Sequence, residues 1–419
     1  MKKRILIVEQ HVRRGVDANA LIAAYLEEMG VKTRLSLTGS QLCRNLIDFE
    51  PHVVYYPWVT PYVYRFLRER QPTVPIVNSF QEQNTVLHQP DAPMVKWAGK
   101  SDYIFAWGDA HKRKFEDLFE RPTTIKTGNP RFDAYFDESI YEILYPSRTD
   151  LSVQYGLPPE KDWVLIALDF PLLFQPRARL DELIERGDLA EKQLELAQST
   201  YKVLCNWITR LASDRHDSVL IIRPHPGSDL EQIRDDFGGG NNSIRFIKGG
   251  GLPPWIVTAD RYVTRASTSV VESWLSDTPS ALIRRDEHVK ELDARPHVTE
   301  ARTSLNSYSE FLDFVVNGGV DESRNEHYEF LESLHCLNGC SARRTAQKLN
   351  QIASKQKEKL EYSRVLSEDT LEIIKFHAKK VINKYGLNGI NPLGRPNKEF
   401  MSIKESRRRV NSLINKIGN

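Results

Sequence analysis

Short β-branched runs alternate along this chain with segments whose apolar residues recur at helical spacing. Ile5-Leu6-Ile7-Val8 is the first such run and predicts a strand buried on both faces. Asp17 to Met29 follows as a helix, with Leu21, Ile22, Tyr25 and Leu26 on one face. Further strands are expected at His52–Tyr56, Val74–Asn78, Tyr103–Trp107 and Thr123–Lys126, with helical stretches between them. A segment rich in turn residues, Asp137–Asp162, then interrupts the pattern and reads as a connection. The alternation restarts with a strand at Trp163–Leu168 and a long helix over Leu189–Ser213. Strands at Ser218–Ile222, Ile244–Ile247, Arg261–Thr264 and Ser280–Ile283 complete it. This order predicts an α/β fold of two doubly wound, Rossmann-like units, each a parallel sheet with helices on both faces. The expected partition is a first domain at 1–137, a linker at 138–162, a second domain at 163–340 and a basic helical extension at 341–419. In such sheets ligands sit outside the carboxyl ends of the strands, so the informative residues are those just after each strand.

Composition and charge narrow the picture. At 419 residues, 40% hydrophobic and 27% charged, the chain is long and apolar enough for two packed cores, which excludes disorder as its default state. The net charge of +2 hides an uneven distribution: from Ser341 to Asn419 there are 18 Lys and Arg against 7 Asp and Glu. That tail carries Arg407-Arg408-Arg409 and an apolar stripe, Val410, Leu413, Ile414 and Ile417. It reads either as a helix packed on the domains with its charges in water or as a peripheral contact with an anionic membrane face. Nucleic acid is not an expected partner, because the basic charge is confined to the tail and has no aromatic interleaving. Four scattered cysteines form no disulfide framework and fit a reducing compartment. Cys336 and Cys340 beside His335 make an incomplete zinc set, with no second pair at a suitable spacing. The basic start Met1-Lys2-Lys3-Arg4 is followed by an apolar run that Glu9 ends, so it reads as a first strand rather than a signal peptide or span. A cytoplasmic protein, at most peripheral on the inner face of the membrane, is expected.

The motifs that carry chemistry lie in the second half. Arg223-Pro224-His225-Pro226 follows the strand that ends at Ile222. Two prolines stiffen the turn and reduce the entropy lost in presenting Arg223, a planar fork of donors suited to phosphate, and His225, a donor or acid toward a leaving phosphate. Ser267-Thr268-Ser269-Val270-Val271-Glu272 follows the next strand but one and opens a helix. Free N–H groups and hydroxyls there suit an anion, with Glu272 accepting from ribose hydroxyls. The same Ser269-x-x-Glu272 spacing is also a capping box, which needs no ligand. Asp235-Asp236 reads as a helix end rather than a metal site, and Gly249-Gly250-Gly251 as a loop where backbone can approach a base.

This His-Pro turn followed by a Ser/Thr pair at a helix start resembles the motif set of GT-B glycosyltransferases that use CMP-activated sugars. These are the capsule Kdo transferases, bacterial sialyltransferases and polysialyltransferases, and teichoic acid polymerases that use CDP-alcohols are similar. The first half, through Trp107-Gly108 and Thr127-Gly128-Asn129-Pro130-Arg131-Phe132-Asp133, resembles the bacterial surface carbohydrate biosynthesis family. The likeness spans residues 1 to 340. It implies a nucleotide-sugar-binding second domain and an acceptor-binding first domain with an acidic residue in a loop facing the nucleotide. Glu82, in Phe80-Gln81-Glu82-Gln83, is the first candidate for that acid or base, although related enzymes place a second acid and a glycine there. The loop Glu9-Gln10-His11-Val12-Arg13-Arg14 competes: Glu9 and His11 could manage protons, and Arg13 and Arg14 could hold an acceptor or a sugar carboxylate. Asp169, after the strand that ends at Leu168, is a third candidate.

The expected function is therefore metal-independent transfer of Kdo or another nonulosonic acid from a CMP-sugar to a surface polysaccharide or glycolipid, with no cofactor beyond the donor itself. The alternatives are transfer of a polyol phosphate from a CDP-alcohol, a nucleotide-sugar 2-epimerase, and a non-catalytic scaffold on the membrane face.

Overall fold

The computed structural model describes residues 2–9, 12–37, 40–57, 59, 61–185, 189–214, 217–225, 228–238, 243–284, 295–319, 322–356 and 413. Nearly all of the basic tail lies outside them. The chain divides into two compact units: residues 1–144 together with the segment from Glu332 onward, and residues 145–331.

The first unit is built on β1 (Arg4–Glu9), β2 (Lys32–Leu37), β3 (Val53–Tyr56), β4 (Ile76–Asn78), β5 (Tyr103–Ala106) and β6 (Thr123–Lys126), in the order β2-β1-β3-β4-β5-β6. The second is built on β7 (Asp162–Leu168), β8 (Ser218–Pro224), β9 (Ile244–Phe246), β10 (Arg261–Thr264), β11 (Ser280–Ile283) and β12 (Ser304–Leu305), in the order β12-β11-β10-β7-β8-β9. Every strand pair in both sheets is parallel. The reason lies in the strands themselves. Ile5 to Val8 and Trp163 to Ile166 are wholly buried, which is possible only when helices cover both faces. The long helix Glu191–Asp214 shows how: Leu194, Ala197, Tyr201, Leu204, Ile208 and Leu211 form one buried stripe packed on the second sheet.

Two elements depart from the expectation. β2 went unread because Lys32-Thr33-Arg34 is a polar run and only Leu35 and Leu37 of its six residues are apolar, as suits an edge strand rather than a buried one. The Asp137–Asp162 segment is not an irregular connection but contains helices Glu138–Leu144 and Arg148–Tyr155. Ser147 starts the second with a capping box, its side chain accepting from Asp150 N while Asp150 accepts from Ser147 N.

The C-terminal helix Ser341–Ser354 belongs to the first unit, not to an extension beyond the second. It packs on the helix Val12–Glu28, and its first turn is capped by a distant carboxylate. Asp133 accepts from Ser341 N at 2.9 Å and from Ala342 N at 2.7 Å. Burial raises the Asp133 pKa, and these helix N–H groups oppose that by favouring the charged form. Gly128 lets the chains meet: at φ +89° a Cβ there would lie 2.2 Å from Ser341 Oγ. Arg344 closes the seam by donating to Thr127 O at 2.8 Å. Thus Thr127–Asp133, which carries the family resemblance, is the seat of the last helix.

The seam also buries histidines. His111 bridges Leu334 O and Asn84 Oδ1. Neither ring nitrogen of His335 has a hydrogen-bond partner among the described residues, and the ring packs between Phe132 and Trp107. Burial lowers His111 to about 4, and burial, with His111 and Arg131 nearby, takes His335 well below the ordinary value. In the second unit His327 has the opposite balance. Burial disfavours its charge, but hydrogen bonds to Glu322 and Glu300 outweigh that and raise its pKa, while the ring stacks on Trp274 at 3.9 Å.

These shifts predict a pH profile. His111 and His335 are neutral when folded and protonate readily when unfolded, so their contribution is full above about pH 6.5 and is lost as pH falls toward 4. The His327 contribution runs the other way, present at low pH and lost as pH rises through its raised value. Urea unfolding followed across pH will show His335→Leu with a shallower acid loss than wild type. Because the ring has no partner, that variant should be at least as stable at pH 7.5; a loss of more than about 2 kcal/mol there would contradict the unpartnered ring. Among the described residues no helix is long and apolar enough to cross a membrane.

Candidate functional site

In the second unit the chain runs outward from β7 through β8 to β9, then returns to lay β10 on the other side of β7. That reversal opens a crevice at the carboxyl ends of β7 and β10. The candidates from the second half gather on β7, β8 and β10, three adjacent strands. Asp169 follows β7, with Arg295 Nη1 at 3.8 Å from its Oδ2. Arg295 also donates to Ala266 O at 3.0 Å, and His297 Nε2 reaches the same carbonyl at 3.0 Å. Ala266 immediately precedes Ser267, so Asp169, Arg295 and His297 surround the start of the Ser267–Ser269 turn.

Arg223 lies in β8, is buried, and donates to the carbonyls of Gly249 (2.5 Å), Gly250 (2.9 Å) and Gly251 (3.2 Å). Its guanidinium also lies 5.4 Å from the Trp255 ring centroid. Its fork therefore holds the triple-glycine loop by its backbone. His225, just beyond β8, is half-buried. Pro226 lies outside the described residues.

The serine turn also corrects the sequence reading. Ser269 has helical φ −69° and ψ −10° and makes no side-chain capping bond, so the Ser269-x-x-Glu272 capping box does not form. Its hydroxyl is instead 2.5 Å from Tyr262 Oη and 2.6 Å from Ser267 Oγ. Tyr262, Ser269 and Ser267 thus form a chain of hydroxyls. Ser267 Oγ also accepts from Ser269 N at 3.3 Å. Ser267 is half-buried and Thr268 exposed, whereas Ser269 and Glu272 are buried, Glu272 at 5% exposure. The hydroxyls with surface to spare are those of Ser267 and Thr268. Ser269 supports the turn from beneath.

In the first unit the reversal falls between β1 and β3. Here the structure joins two candidates that the sequence set in competition. Glu9, at the end of β1, is 3% exposed. Its Oε2 accepts from Asn19 Nδ2 and its Oε1 from Gln81 Nε2, both at 2.8 Å. The loop that holds Glu82 is therefore tied to Glu9 through its neighbour. Gly15 permits this, since a Cβ there would sit 1.9 Å from Glu9 Oε2. The glutamines that flank Glu82 shape the loop: Gln83 donates to Phe105 O at 2.6 Å and accepts from Trp107 N at 2.8 Å. Phe80 takes φ +21°, with Asn78 Oδ1 accepting from its N–H at 2.8 Å. Glu82 itself is half-buried. A pocket of about 30 Å³ opens beside this network, lined among others by Asn19, Tyr55, Ser79, Gln81, Trp107 and Asn129. His11 and the side chains of Arg13 and Arg14 lie outside the described residues.

Sequence reasoning missed Asn19, Gln81, Asn129, Tyr262, Arg295 and His297. Gly15, a glycine between the first strand and the helix read from Asp17, was a signal of close backbone approach that could have pointed to Asn19 and Gln81. Among the described residues no group of three or more His, Cys, Asp and Glu could hold a metal ion.

No protein-family model and no curated protein sequence matches the chain. Solved structures do. Staphylococcus aureus MnaA in its co-structure with UDP is 13% identical, covering 86% of this chain and 100% of that one, with a TM-score of 0.54. UDP-GlcNAc 2-epimerase from Neisseria meningitidis bound to UDP-GlcNAc is 14% identical over 84% of this chain and 100% of that one, TM-score 0.53. The wall teichoic acid polymerase TagF is 12% identical over 85% and 90%, TM-score 0.55. At these identities the likeness is one of fold: two Rossmann-like domains, each with a six-stranded parallel sheet, in the GT-B arrangement of elements.

Proposed function

We propose that this chain is a glycosyltransferase that moves a sugar from a nucleotide-activated donor to a saccharide or glycolipid acceptor in surface polysaccharide biosynthesis. The second unit binds the nucleotide and the first binds the acceptor. The observation that carries this reading is that Ser267 and Thr268 follow β10, Asp169 with its partner Arg295 follows β7 and His225 follows β8, three neighbouring strands at the topological switch of one sheet. Ser267 and Thr268 donate to the phosphate, Arg295 adds positive charge, and His225 stabilises or protonates the leaving phosphate. Asp169 keeps Arg295 in place. Glu82, tied to the Glu9 network through Gln81, is the base toward the acceptor hydroxyl, and Glu9, being buried between amides, sets the position of that loop. The donor is a CMP-sugar, Kdo or another nonulosonic acid, on the strength of the Arg-Pro-His-Pro and Ser-Thr-Ser resemblance.

Likeness of fold to TagF favours a second reading, transfer of a polyol phosphate from a CDP-alcohol, and likeness to UDP-GlcNAc 2-epimerases favours a third. One assay separates them. The full chain is incubated with CMP-, CDP- and UDP-activated donors, with and without acceptor, and products are weighed. Release of CMP with a glycosidic product supports the first reading, a retained phosphodiester the second, and epimerised donor without acceptor the third. Absence of all three, with no nucleotide binding by calorimetry, would leave a scaffold.

Two substitutions test the residues. His225→Ala should lower kcat/KM by about a hundredfold while nucleotide Kd changes little; full turnover would remove His225 from the chemistry. Arg223→Lys cannot hold three carbonyls at once, so it should cost about 2 kcal/mol in unfolding free energy and weaken nucleotide binding together. Weakened binding with unchanged stability would instead return Arg223 to the phosphate.

A further inference from the structure

The first-unit pocket has a hydrogen-bonding pattern that selects its occupant. Asn129 is 3% exposed and lines the pocket, and its Nδ2 has no partner among the described residues. The orientation of this amide is fixed rather than arbitrary. Its Oδ1 accepts from Arg131 N at 3.2 Å, a backbone donor that could not face an NH2 group. A buried donor without a partner therefore stands in the pocket wall, where an oxygen would satisfy it.

The opposite wall carries acceptors. Asn19 and Gln81 both turn their NH2 groups to Glu9, which accepts only, so their orientations are fixed as well. Their carbonyl oxygens, Oδ1 of Asn19 and Oε1 of Gln81, accept no bond from any other described residue. The Asn129 donor and the two amide acceptors, with the hydroxyl-bearing Tyr55, Ser79 and Thr127, thus line a space of about 30 Å³, enough for one small group. A hydroxyl satisfies both amide walls, accepting from Asn129 and donating to Asn19 or Gln81. A carboxylate or phosphate oxygen can accept but not donate, so it leaves both amide oxygens unsatisfied and would face them backed by the buried Glu9 carboxylate. Arg131, also on the wall, is the cation that could argue the other way, so the test must set neutral and anionic probes against each other.

We infer that this pocket is a hydroxyl-reading subsite for a neutral sugar or polyol, and that Asn129 is its specificity-determining residue. The inference rests on the acceptor role proposed above for the first unit and sharpens it: the acceptor enters with an uncharged hydroxyl-bearing group, and a sugar carboxylate is excluded here.

Glucose and glucuronate differ by one such group, and they are the probes. Each is titrated into the full chain, and binding is followed by NMR of the Asn and Gln side-chain amides. Glucose should shift the Asn129 amide with a Kd at least about tenfold lower than glucuronate. Asn129→Asp keeps the acceptor for Arg131 N, removes the donor and adds a negative charge, so its melting temperature checks that the fold is retained. It should weaken glucose binding by about tenfold or more. Glucuronate binding as tightly as glucose, indifference to Asn129→Asp, or no binding by either sugar would each overturn the inference, the last two leaving an ordered water as the occupant. Should Asn129→Asp fail to fold, Asn129→Ser, with a shorter donor, is measured in its place. CMP and UDP calorimetry on the same samples keeps the two conclusions apart. Nucleotide binding without glucose binding sinks only this subsite, and glucose binding without nucleotide binding sinks only the nucleotide reading.

Discussion

A parallel sheet buried on both faces has no room for charge along its length. The central strands here are apolar for most of their covered length, and polar groups gather where they end. The two units solve the same problem differently. In the second, the strand ends meet a cation, a histidine and a row of hydroxyls whose innermost member is a buried phenol. In the first, the strand ends converge on one buried carboxylate, and neutral amides hold it. The second arrangement suits an anion and the first a neutral polar group, and the proposed division between nucleotide and acceptor rests on that difference.

Much of the fold was legible because buried strands and long amphipathic helices leave strong patterns. Ile5–Val8, Trp163–Leu168 and the stripe of Glu191–Asp214 were all read from spacing alone. The site was legible only as addresses. Position after a strand selected Glu9, Asp169, His225 and Ser267 correctly as residues at a sheet edge, but it could not say what each side chain touches. Arg223 shows the limit. Its type and place suggested phosphate, yet the glycines that occupy it lie 26 to 28 residues further on, and nothing local announces that contact. Ser269 and Glu272 show the converse, since a spacing that fits a capping box is satisfied instead by a tyrosine on the preceding strand. Glutamines were the least legible of all. Gln81 and Gln83 looked like departures from an acidic motif, whereas they hold the loop that presents Glu82.

The amide groups around Glu9 have a further property. Asparagine and glutamine can each serve two neighbours with opposite demands, a donor end and an acceptor end. Fixing one end on a carboxylate sets the polarity of the other. The buried charge thereby governs what the pocket can bind without touching the occupant.

The seat of the last helix on Asp133 carries a consequence for how the molecule is made. Residues 145–331 form a complete unit, but the first unit lacks its closing helix until the chain has been synthesised past residue 342. Until then Asp133 is a carboxylate without its helix N–H partners, and the apolar stripe of Val12–Glu28 has no cover from Leu349 and Ile352. Domains ordinarily fold in the order of synthesis. Here the six strands of the first unit emerge before the second unit, yet the helix that covers them emerges only after it, so the sheet waits without that cover while residues 145–331 are made.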